Sequence, residues 1–183
     1  FTGSLIVGHS TTGTLSAAID NTALGIGALD NITSGDYNTV IGKVAGGAIT
    51  NAVQNVIIGA TAGDALTSGS RNVAIGFNAL SAEDGHGKNV AIGNEALAVQ
   101  NAGADAYNVA IGYNAGVAVT TGVRNTILGG AAGDALTTGG RNIAIGYSAL
   151  STEDAGSYNT AIGYNALRDQ DAGDAYNTAV GYN

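Results

Sequence analysis

The five residues Asn72-Val73-Ala74-Ile75-Gly76 recur from one end of the chain to the other. Versions begin at Ser4, Asn21, Asn38, Asn55, Asn72, Asn89, Asn108, Asn125, Asn142, Asn159 and Asn177, spaced 17 residues apart, with 19 after Asn89 and 18 after Asn159. No other feature constrains the fold as strongly, because a unit this small cannot bury a core alone and must stack on its neighbours. Eleven units in 183 residues leave no room for a separate globular domain.

Read by column, the motif is Asn or Ser, then three positions drawn from Ala, Val, Ile, Leu and Thr, then an unbroken column of Gly. β-branched residues predominate, so the segment reads as a short strand. Alternate side chains of a strand point to opposite faces, which puts positions two and four on one face and position three on the other. Both faces are apolar, as in parallel sheets covered on both sides. The fourth-position column of Ile41, Ile58, Ile75, Ile92, Ile111, Leu128, Ile145 and Ile162 is assigned to the coil core, and an acid at Ile111 is expected to break the rod. The following glycines, Gly42, Gly59, Gly76, Gly93, Gly112, Gly129, Gly146 and Gly163, are assigned to a turn that needs positive φ or close approach between coils. The Asn before the strand tolerates a left-handed turn and can stack as a ladder from coil to coil.

Seventeen residues accommodate two short strands and two turns. Coils about 4.8 Å apart would build a rod roughly 50 Å long. The expected fold is therefore all-β, a parallel β-roll or β-solenoid of about eleven coils. Residues 1–20 form an atypical N-terminal coil with Thr11-Thr12-Gly13-Thr14, residues 21–176 the regular array, and residues 177–183 an incomplete C-terminal coil. Coils also come in two types. Ala79-Leu80 typifies one, and Ala62-Gly63 followed by Ala65-Leu66-Thr67 the other. Two of each alternate, so Asn55 to Gly76 matches Asn125 to Gly146, 70 residues on, as duplication of a four-coil block would produce.

Composition narrows the function. Without Cys there are no disulfides and no thiolate metal sites. A net charge of −8 with six basic residues argues against nucleic-acid binding. No apolar run reaches the roughly 18 residues of a membrane span. The only histidines are His9 and His86, with His86 in a Gly85-His86-Gly87 turn expected to face water. The acid pairs Glu83-Asp84 and Glu153-Asp154 read as solvated turns, and so does Asp169 to Asp174, which lacks the ligand spacing of a calcium loop. No nucleophile–base–acid set or phosphate loop is visible, so the chain is expected to be no enzyme and to hold no cofactor or metal. Asn31-Ile32-Thr33 is the one N-glycosylation sequon.

Aromatics fall in two columns. Tyr37, Tyr107, Tyr158 and Tyr176 precede the motif, interspersed with Arg71, Lys88, Arg124 and Arg141; Phe77, Tyr113, Tyr147, Tyr164 and Tyr182 follow its glycine. Tyr107 beside Arg124 and Arg141 beside Tyr158 are placed to stack as cation–π pairs. Tyr107, Tyr113, Tyr147, Tyr158, Tyr164 and Tyr176 are candidates for contact with a glycan or with another subunit.

The pattern Asn159-Thr160-Ala161-Ile162-Gly163-Tyr164-Asn165-Ala166-Leu167 resembles the head repeats of trimeric autotransporter adhesins and is similar to the repeat arrays of phage tail-fibre proteins. The resemblance runs from Ser4 to Asn183. It implies a parallel β-roll, usually trimeric, with aliphatic columns inside the coil and between subunits. The adhesin repeat is shorter than this one. The likeness covers repeats and not the stalk, neck, anchor or chaperone domains of those families, so no attachment tip is carried over. A single hexapeptide of left-handed β-helix acyltransferases is also matched at Ile75 to Ala79, where those enzymes need about three per coil.

The expected function is a structural repeat segment of an extracellular fibre, on a cell-surface appendage or a virion. It would self-assemble through its aliphatic columns as a trimer or an end-to-end filament. The alternative is a carbohydrate-binding adhesive module that uses the Tyr rows against surface glycan. Ice binding through Thr50, Thr67, Thr120 and Thr137 is disfavoured, because two coils interrupt that row.

Overall fold

The computed structural model describes residues 5–7, 18–152, 154–169 and 176–183. Among them are eleven three-residue strands: β1 (Leu5–Val7), β2 (Thr22–Leu24), β3 (Thr39–Ile41), β4 (Val56–Ile58), β5 (Val73–Ile75), β6 (Val90–Ile92), β7 (Val109–Ile111), β8 (Thr126–Leu128), β9 (Ile143–Ile145), β10 (Thr160–Ile162) and β11 (Thr178–Val180). They form one sheet in chain order, and neighbouring strands are parallel. The chain is thus an all-β solenoid in which each repeat is one coil. Motif stacks on motif: Val73 pairs with Val56 and Val90, and Ile75 with Ile58 and Ile92. The longer spacings do not disturb this register. Val90 still faces Val109 and Thr160 still faces Thr178, because the extra residues are taken up outside the strands.

Each described coil holds one strand rather than the expected two. Its second half is a run of turns in which left-handed residues recur at close intervals, as at Asn78 (φ 53°) and Leu80 (φ 54°). Two such residues with a single residue between them cannot belong to an extended segment. The backbone nevertheless keeps pairing from coil to coil. The Leu80 N–H donates to the Ala96 carbonyl and the Ala82 N–H to the Ala98 carbonyl, both at 3.0 Å.

The core is a narrow column, and it lies on the face opposite to the one the sequence suggested. Third-position Ala23, Val40, Ile57, Ala74, Ala91, Ala110, Ile127, Ala144 and Ala161 are buried, together with the eighth-position alanines Ala28 to Ala166. The fourth-position residues Ile41, Ile58, Ile75, Ile92, Ile111, Leu128, Ile145 and Ile162 point outward, half-buried by their stacked neighbours and 43% exposed at Leu128. They are not the coil core. The physical reason is width. A coil closed by alanines at position eight has room for small third-position side chains, and six of those nine are Ala.

The two coil types turn out to be two ways of filling the same space. Where position nine is Leu (Leu29, Leu80, Leu97, Leu150), that side chain fills the coil. Where it is Gly, a larger third position at Val40, Ile57 and Ile127 takes up space, while the residue three positions later is buried in both types, as Ile49, Leu66, Val119 or Leu136 here and as Ile32, Glu83 or Gln100 in the leucine coils. A Cβ on Gly116 would stand 2.9 Å from the Ile127 Cδ1.

A buried asparagine ladder runs beside the strands. The Asn38 Oδ1 accepts from both the backbone N–H and the side-chain Nδ2 of Asn55 at 3.0 Å, as the Asn21 Oδ1 does from Asn38, and the backbone bond recurs from coil to coil as far as Asn177. Seven of the Nδ2 groups, from Asn21 to Asn142, also reach across their own coil to the carbonyl 14 residues on, as Asn125 does to Gly139 at 2.9 Å. Among the described residues, the Nδ2 groups of Asn89 and Asn159 lack a partner. These two begin the coils of 19 and 18 residues, the two that depart from the 17-residue period.

Candidate functional site

Strand alternation decides what the outer sheet face offers. From β2 to β11 every outward position is Thr, Val, Ile or Leu, and no charged or amide side chain interrupts the two columns. The residue before each motif is held in the left-handed region, with φ of 60° at Tyr37 and 59° at Arg141, and begins the rim on one side. The residue after each motif glycine forms the other rim, and Tyr113 there is 63% exposed. The glycines from Gly42 to Gly163 have φ between 132° and 142°, and this sharp exit aims the second rim outward.

Charge is sorted by the same geometry. Four of the six basic residues, Arg71, Lys88, Arg124 and Arg141, stand in the first rim. Among the described residues the acids lie in the turns, apart from Asp20 in that rim. Lys88 donates to Asp105 at 2.5 Å and to the Tyr107 hydroxyl at 2.9 Å, with its Nζ 4.9 Å from the ring centre. Hydrogen bonding to Asp105 raises the lysine pKa, and the same contact lowers that of the aspartate. Tyr107 therefore takes Lys88 as its cation rather than Arg124. Arg141 over Tyr158 is as expected, at 5.2 Å, with an Nη1–hydroxyl hydrogen bond of 3.0 Å.

Five of the eight tyrosines stack on one another. Tyr147, Tyr164 and Tyr182 form a ladder with ring centres 5.5 and 5.0 Å apart, and Tyr158 stacks on Tyr176 at 4.9 Å. Within these stacks the ring faces lie against neighbouring coils, whereas a sugar packs on an open face; Tyr113 stands outside them. The threonine row is likewise occupied: Thr50, Thr67, Thr120 and Thr137 each donate a hydroxyl to a carbonyl of the next coil. At the sequon, Asn31 Nδ2 donates to the Gly47 carbonyl at 2.6 Å.

The acidic turns hold a correction. Glu83 does not face water; it is fully buried, in the ring position filled by Leu66 one coil earlier. Its carboxylate accepts from the Gln100 Nε2 at 3.1 Å, and Gln100 is equally buried. Burial pushes the Glu83 pKa up, opposed by the backbone N–H of His86. Period reading missed this pair because the column alternates aliphatic with polar residues. The available signal was the recurrence of the same Glu and Gln 70 residues on, at Glu153 and Gln170. Those two, His9, the Thr11–Thr14 segment and most of the calcium-like stretch after Asp169 lie outside the described residues.

Asp64 and Asp134, at matching places in the two blocks, also have raised pKa values from burial. The Asp134 Oδ1 is enclosed without a hydrogen-bond partner. A carboxyl whose folded pKa exceeds its unfolded value contributes most below the unfolded value and loses that contribution as pH rises through the folded one. Asp134→Asn is therefore expected to raise the melting midpoint at pH 7 and to give no gain below its ordinary pKa of 3.8. Thermal melts of the two proteins across pH check this, and a gain confined to acid would contradict it.

No protein-family model, curated protein or solved structure matches the chain. Among the described residues, no helix is long and apolar enough to cross a membrane.

Proposed function

We propose that this chain is a structural repeat segment of a fibre, a stiff rod that associates with further copies of itself through its outer sheet face. The observation that supports this is the unbroken run of Thr, Val, Ile and Leu at the outward strand positions. Eleven strands at about 4.8 Å, with both rims included, give a face of roughly 1,000 Å². A standard interface takes about 800 Å² from each partner and is depleted of charge at its centre. The acids that make up the net charge of −8 sit off the strand positions, so repulsion between copies is least when these faces meet. A second copy is thus the occupant that best matches the face in both area and charge. Placement on an extracellular appendage or a virion fibre rests on the repeat resemblance alone. The stacked rings give the glycan-binding alternative less to hold than open rings would.

Sedimentation of the purified chain tests the proposal, with a dimer or larger assembly expected. Ile75→Lys with Ile92→Lys should leave the circular dichroism unchanged. It should weaken association by at least about 2 kcal/mol, roughly thirtyfold in Kd, as loss of an interface centre does. A wild-type chain that stays monomeric at high concentration would dismiss self-association.

A further inference from the structure

We infer that Glu83, Asp84 and His86 form a binding site for a divalent transition-metal ion of the zinc class. One ligand atom from each of the three lies within 4.8 Å of the others. Glu83 Oε1 and His86 Nδ1 are 3.6 Å apart. Two ligands on a tetrahedral zinc ion with bonds of 2.0–2.1 Å stand roughly 3.4 Å apart, so a small closure of this pair suffices.

The surroundings support a cation independently of the cluster. His86 Nδ1 is shut off from solvent although the side chain as a whole is 34% exposed, and the atom has no hydrogen-bond partner. Gln100 is fully buried with its amide on the other Glu83 oxygen, and its own Oε1 has no partner. An enclosed imidazole nitrogen and an enclosed carboxylate meet here, beside a buried glutamine whose amide oxygen has no partner. An imidazole with two carboxylates suits zinc, cobalt or nickel better than magnesium or calcium, which take oxygen ligands alone.

The frame is already rigid. The His86 carbonyl accepts from Asn72 Nδ2 at 3.2 Å in the asparagine ladder, and the Asp84 carbonyl accepts from the Thr67 hydroxyl at 3.0 Å. The ion would tie this turn down between the ladder and the Gln100 coil, in one of the two blocks only. Seventy residues on, Gly156 stands where His86 does here.

That substitution supplies the test. His86→Gly copies the residue that the second block already carries, so the coil is compatible with it. Titration of the metal-free full chain with zinc chloride, followed by calorimetry and by melting midpoint, should give one site per chain and a higher midpoint. In His86→Gly the affinity should fall by more than the roughly 10–100-fold lost with an outer-shell partner. Asp84→Asn should weaken it less, since the enclosed pair remains. Cobalt chloride on the wild-type chain should give the visible absorption of a low-coordinate nitrogen–oxygen site. No binding by the wild-type chain, or equal binding by His86→Gly, overturns the inference.

Discussion

Ile127→Asp is expected to unfold the rod, while Leu128→Asp beside it leaves the fold intact. Ile127 is fully buried, and its Cδ1 lies 2.9 and 3.3 Å from where a Cβ would sit on Gly116 and Gly133. It fills the space that two glycine coils leave. Removing it costs about 2–5 kcal/mol for the lost aliphatic and its cavity. An enclosed carboxylate without a partner adds several more. The sum rivals the roughly 5–15 kcal/mol that holds a whole domain. Leu128 faces outward and is 43% exposed, so an acid there stays hydrated and acts on association alone. Circular dichroism and sedimentation on both variants separate the effects. A folded Ile127→Asp with an unfolded Leu128→Asp would restore the fourth-position column to the core. By the same logic Ile111→Asp, outward in β7, should leave the coil standing and loosen only the assembly.

That pair marks how far the sequence could be read. Solenoid class, period and register were legible because the Asn, strand and Gly columns each repeat with one consistent demand on the backbone. The asparagine ladder followed from identical residues at one stacking distance. Which strand face turned inward did not follow, because Val73, Ala74 and Ile75 are all apolar and hydropathy cannot rank them. Size could have ranked them: a column rich in Ala beside columns of Val and Ile is the one that suits a thin coil. The second expected strand failed for a different reason. Leu80, Leu97 and Leu150 carry no sign of φ near 50°, yet the coil closes through them. At the candidate sites, the outer face was legible as a surface needing cover. Glu83 and His86 were not, since a carboxylate in an Asp-Gly-rich turn reads as solvated until coil stacking encloses it.

Gly129→Ala should split the rod, where Gly103→Ala weakens it by a smaller amount and leaves it continuous. Both glycines have positive φ, +137° at Gly129 and +66° at Gly103. The second value is the ordinary left-handed region that other residues of this chain already occupy, and a Cβ on Gly103 meets nothing within 4 Å. Its replacement is expected to cost about 1–2 kcal/mol, the usual left-handed penalty for a non-glycine residue. At Gly129 the backbone is in a region open almost only to glycine, worth about 1–3 kcal/mol. A Cβ there also stands 2.5 Å from the Gly146 carbonyl oxygen, which belongs to the next coil's backbone and cannot swing aside. Forcing the coils apart adds about 1–3 kcal/mol. The combined loss of roughly 2–6 kcal/mol falls on one coil-to-coil contact, and a stacked array is only as continuous as its weakest neighbour term. Hydrogen exchange should show it as lost protection at the amides that bridge Asn125 to Asn159, with the coils before Asn108 still protected. Uniform loss along the chain would mean that the solenoid unfolds as a single unit, and unchanged protection would mean that the glycine column is not what lets adjacent coils approach.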